Sequence, residues 1–122
     1  MLPYLMLALG ILCNTVASIF AKKASSSLIT TNVQWTSLSE IIGAVFSSKE
    51  LFLSIGFYGI AFIAYIFALS KISLHIAYPV FVSVAIILVT ISSILIFGEV
   101  LQLRNIIGIA IIIIGIFALV LP

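Results

Sequence analysis

A chain of 122 residues that is 65% hydrophobic and 7% charged, with mean hydropathy +1.51, cannot be a water-soluble domain, where about a quarter of residues carry charge. Its net charge of +2 is scattered along the chain and offers nucleic acid no basic surface. The lone cysteine, Cys13, excludes an intrachain disulfide.

The first predicted span covers about residues 3–22 and closes on Lys22 and Lys23. Twenty helical residues at ~1.5 Å each match the ~30 Å hydrocarbon core of a bilayer. The segment lacks a basic leader and three more spans follow it, so it is read as retained rather than as a cleaved signal peptide. Asn14 falls near its middle. A bare amide at that depth costs a few kcal/mol, so Asn14 must face protein or a cavity.

Residues 24–49 form a longer connection, Ser/Thr-rich at first and then patterned. Trp35, Leu38, Ile41, Ile42, Val45 and Phe46 share one helical face, opposite Thr36, Ser37, Ser39, Glu40 and Gly43. Ser37-x-x-Glu40 and Ser47-x-x-Glu50 read as capping boxes. The expectation is an interfacial amphipathic helix at about 37–47, with Trp35 at headgroup depth. It is either a passive surface element or a lateral gate for lipid.

The second span is expected at about 50–70, the third at 74–97 and the fourth at 105–121, the last with Asn105 as its N-cap. Short loops after spans two and three force antiparallel neighbours. The predicted fold is a single membrane domain over 1–122: an all-α four-transmembrane-helix bundle with one interfacial helix between spans one and two. Lys22, Lys23, Lys49 and Arg104 fall on one side and Lys71 on the other, which places both termini outside.

No Asp occurs, and Glu40, Glu50 and Glu99 all lie in loops or at span ends. His75 opens span three. No nucleophile–base pair, metal-ligand spacing or phosphate loop is present, so neither an enzyme nor a cofactor is expected. A proton-coupled mid-membrane carboxylate is excluded.

The polar candidates each carry two readings. Asn14 is interhelical glue or a substrate contact. Lys22, eight residues on along the same face, is a snorkelling lysine or a phosphate contact. In span three, Ser83 and Thr90 stand seven apart, bonding either their own backbone or a substrate, and Pro79 follows Tyr78 early in that span. Tyr58 and Tyr65 of span two line a groove or pack as aromatics. Gly108 and Gly115, seven apart in the Ile-rich fourth span, permit close helix contact and mark an expected dimer face.

Pro3-Tyr4, a polar residue at Asn14, Lys22, Ile76-Ala77-Tyr78, Phe97-Gly98-Glu99, and Ile106-Ile107-Gly108 with Gly115 together resemble the small multidrug resistance branch of the drug/metabolite transporter superfamily. The likeness covers nearly the whole chain outside residues 24–49. Multidrug members carry a glutamate where Asn14 stands and a tryptophan where Phe81 stands; Ser83 and Ala85 replace glycines expected to bend span three. Asn14 with Lys22-Lys23, the longer first loop and Ala77-Tyr78-Pro79 are more similar to the small flippase subunits that move undecaprenyl-phosphate-linked aminoarabinose.

That resemblance implies a transporter of the bacterial inner membrane. It would flip a polyprenyl-phosphate-linked sugar or similar anionic lipid, as a homodimer or a heterodimer with a related small subunit. Asn14, Ser83 and Thr90 would bond the sugar, Lys22 or Lys23 the phosphate, and Tyr78 would stand at the opposite mouth. The alternatives are multidrug efflux with coupling relocated to Glu99 or His75, and a structural subunit that only completes a heterodimer.

Overall fold

The computed structural model describes residues 1–30 and 37–122; the expected placement of Trp35 and Thr36 lies outside them. Five helices follow in order: α1 (Leu2–Thr30), α2 (Leu38–Ser47), α3 (Lys49–Leu69), α4 (Leu74–Phe97) and α5 (Leu103–Val120). All but α2 are long and apolar enough to cross a membrane, and no strand occurs among the described residues. The architecture is the expected all-α one, with the short apolar helix between spans one and two. At ten residues, or about 15 Å, α2 is too short to cross. Its Ala44 is buried, and Leu38, Ile42 and Phe46, spaced four apart, stay exposed along one side.

Helix α5 is built largely from Ile, a poor helix former in water. In hydrocarbon every backbone N–H must bond within its own segment, so the helix forms regardless. Helix α1 runs on past Lys22 and Lys23, which had marked the end of the first span. Nothing there breaks it: Ala21 and Ala24 flank the lysines, and the Ser26 hydroxyl donates to the Lys22 carbonyl at 3.2 Å.

The core joins α1 to α3, which run antiparallel. Small residues recur every seven positions on both: Gly10, Ala17 and Ala24 on α1, and Ser54, Ala61 and Ala68 on α3. Ala17, Ala24 and Ala68 are wholly buried. The backbones come close enough that a Cβ on Gly10 would sit 3.2 Å from the Ala61 carbonyl oxygen. The buried Ser54 hydroxyl donates across the seam to the Ala17 carbonyl at 2.8 Å. Interhelical bonds of this kind and close backbone packing replace the hydrophobic drive that lipid removes. Helix α4 packs on α1, parallel to it, and α5 folds back against α4 with no buried residue of its own.

None of the three predicted caps closes as expected. Ser37 does stand at the N-cap of α2, but its hydroxyl bonds Ser39 at 2.9 Å instead of a backbone N–H, so the capping box does not close. Helix α3 is capped by Ser48, which accepts from the Leu51 N–H at 3.3 Å, while Ser47 ends α2. Helix α5 starts behind Gln102, and Asn105 is already inside its first turn.

Candidate functional site

Helices α1, α3 and α4 meet around a cavity of about 490 Å³ lined by Asn14, Tyr65, Tyr78, Phe81, Val82, Ala85, Ile86, Val89 and Thr90. A second, of about 340 Å³, lies toward α3 and shares Asn14, Tyr65 and Phe81 with the first, adding Tyr58, Ala61 and Phe62. Asn14 therefore stands between two chambers. Its side-chain amide makes no hydrogen bond among the described residues; its backbone carbonyl accepts from the Ser18 hydroxyl at 2.9 Å. Among the described residues of the single chain, the interhelical-glue reading of Asn14 finds no hydrogen-bond partner.

Every polar side chain on these walls is a neutral hydrogen-bonding one: an amide, three phenols and a threonine hydroxyl. The Tyr65 ring tilts over Phe81 with centroids 5.0 Å apart, and its hydroxyl is buried without a partner among the described residues. Tyr58 bonds Ser18 hydroxyl to hydroxyl at 3.0 Å. The two tyrosines accordingly both pack and line a groove. Tyr78, 58% exposed, stands near the opening end of α4. One residue on, Pro79 lies within that helix and withholds the N–H that would bond the His75 carbonyl.

Toward the other end, a smaller pocket of about 130 Å³ continues the α1–α4 groove past Val89 to Lys22, Ser93, Phe97 and Glu99. Gly98 places Glu99 there. Its φ of 65° is left-handed, open to glycine without strain, and it ends α4 with N–H bonds to the Ile94 and Ser93 carbonyls. The chain then turns back, so that Glu99 accepts from the Ser93 hydroxyl and pairs with Lys22 at 3.4 Å. The Ser93 bond chiefly holds the Glu99 carboxyl below the usual carboxylate range; partial desolvation opposes it, and the Lys22 bond and charge reinforce it.

The predicted site residues divide. Asn14, Tyr78 and Thr90 are brought together on one cavity. Lys22 adjoins it, but as half of an ion pair rather than a lone cation. Lys23 lies half a helical turn from the Asn14 face, with its Nζ 5.9 Å from the Phe20 ring centroid. Ser83 is buried but lines neither chamber. A Cβ on Gly108 or Gly115 would meet nothing within 4 Å, so the face they mark is open on the single chain. Sequence reasoning weighed Tyr65 as a groove residue but left it out of the substrate site, and it missed Glu99 as the partner of Lys22. The Gly98-Glu99 turn was the available signal for the second. Among the described residues no cluster of His, Cys, Asp and Glu is placed to hold a metal.

The family model of the Small Multidrug Resistance protein matches residues 2–112. No curated protein matches the chain. The chain belongs to the small multidrug resistance family: it is a multi-pass membrane protein of a family of transporters whose members typically work as dimers.

Proposed function

We propose that this small multidrug resistance protein is a flippase for a polyprenyl-phosphate-linked sugar, or an anionic lipid of similar build, across the bacterial inner membrane. What carries the reading is the mid-membrane cavity, whose polar groups Asn14, Tyr65, Tyr78 and Thr90 are all neutral. A lipophilic cation at that depth needs a countercharge, and no carboxylate lines either chamber. A sugar needs donors and acceptors in apolar walls, which an amide, phenols and a hydroxyl supply.

The headgroup enters from the basic end, where Lys22, Lys23, Lys49 and Arg104 gather, with that end cytoplasmic and both termini outside. Lys22 meets the phosphate after exchanging Glu99 for it. The acyl chain stays in lipid. Two copies, or one copy and a related small subunit, join along Gly108 and Gly115 to close the path. Movement is downhill, drawn by consumption of the lipid outside.

A second reading, multidrug efflux, is favoured by the aromatic wall of Tyr65, Phe81 and Tyr78, whose ring faces attract cations. The family match supports it equally. One pair of measurements on the purified, unmutated protein separates them. The flippase reading expects a short-chain polyprenyl-phosphoryl hexose to become accessible across reconstituted vesicles at a rate nearly flat from about pH 6 to 8, since no carboxylate, imidazole or amine lines either chamber. Micromolar binding of tetraphenylphosphonium, with no sugar-lipid movement, would transfer the conclusion to efflux.

A further inference from the structure

We infer that the Tyr65 hydroxyl is a specificity-determining partner for the sugar part of the headgroup, acting from α3 across the cavity from Asn14 on α1. This rests on the flippase reading above.

The hydroxyl is buried and has no hydrogen-bond partner among the described residues. Buried polar groups are almost always bonded, and one that is not needs a reason. Packing does not supply it. The ring meets Phe81 at 5.0 Å with a tilt of 55°, and a phenylalanine would keep that contact without burying an oxygen. Position does. Tyr65 is shared by both chambers, as are Asn14 and Phe81. The Asn14 amide is likewise unbonded by the protein among the described residues. Two unspent neutral groups on packed helices, with the Phe81 ring lining the same chambers, match the hydroxyls and the apolar face of a hexose. Tyr58 differs: its hydroxyl is already engaged with Ser18 at 3.0 Å. A site built to bond a hydroxyl discriminates sharply against a ligand lacking it, because its own polar group is then stranded.

The experiment compares unmutated protein with Tyr65→Phe in vesicles, using a short-chain polyprenyl-phosphoryl glucose and following headgroup accessibility from outside. Thermal unfolding of the ligand-free proteins is measured in parallel. Tyr65→Phe is expected to slow flipping roughly 5- to 150-fold, the effect of one lost buried hydrogen bond, while unfolding temperature holds or rises because an unpaired oxygen has gone. An unchanged flipping rate overturns the inference and leaves the flippase reading standing, with water as the hydroxyl's partner. A fall in rate matched by a fall in unfolding temperature also overturns it, making Tyr65 a packing residue. Absence of flipping by the unmutated protein removes the reading and the inference together.

Discussion

An amide at mid-membrane provides hydrogen bonds whose strength does not follow pH, and Asn14 is placed to use both its donor and its acceptor in the cavity. Titration enters only at the groove's end. Glu99, held below its ordinary value of 4.5 first by the Ser93 hydroxyl and then by Lys22, stabilises the α1–α4 junction as a carboxylate. A depressed carboxyl contributes its full stabilisation above the unfolded value and loses it as pH falls through the folded one. Both partners are half exposed, so the effect is small and weakens with salt. Glu99→Gln should therefore lower the unfolding temperature slightly at pH 7 in low salt, and the gap should close in acid below the carboxylate range. A gap that persists unchanged there would show that the pair contributes nothing to the junction. Lys22 is thus a cation with a resident counterion, for which the phosphate of the proposed substrate would compete.

Two helix faces carry small residues, one closed and one open. The seven-residue repeat of Gly10, Ala17 and Ala24 against Ser54, Ala61 and Ala68 is filled within one chain, whereas Gly108 and Gly115 face open space. Adding bulk should separate the roles. Ala17→Leu forces a side chain into a closed seam and should cost about 1–3 kcal/mol of stability in detergent. Gly108→Leu and Gly115→Leu should leave the single chain folded and abolish dimer cross-linking. Dimer retained in both glycine variants would move the interface off α5. The four spans and the short helix were legible because apolar length is decisive in hydrocarbon and Ile-rich sequence has no alternative there. The caps were not. Ser37 and Asn105 have the right chemistry, but the Ser37 hydroxyl is engaged by Ser39, and α5 starts early enough to put Asn105 inside its first turn. Ser83 and Thr90 share a helical face by spacing, yet only Thr90 lines the cavity, because position relative to α1 and not periodicity decides which residue the groove reaches. Tyr65 was legible as an aromatic but not as an unpaired donor, since that depends on what three helices leave around it.

At the scale of the molecule, α1, α3 and α4 build a groove that runs from Tyr78, past Asn14 and Thr90, to the Lys22–Glu99 pair. It is apolar in bulk, neutral in its polar groups at mid-depth, and charged only at one end. That gradient suits the proposed substrate, whose headgroup crosses while its tail remains in lipid, and α5 exposes the open Gly108–Gly115 face proposed for a second copy. The claim rests most heavily on Asn14 meeting the headgroup. The measurement is the flipping rate of a short-chain polyprenyl-phosphoryl hexose per folded dimer, for the unmutated protein and Asn14→Ala in identical vesicles. Loss of one buried hydrogen bond to substrate predicts a rate lower by roughly 5- to 150-fold with the dimer and its unfolding temperature preserved. An undiminished rate per folded dimer, with a lowered unfolding temperature, would show that Asn14 holds helices together and contradict the account.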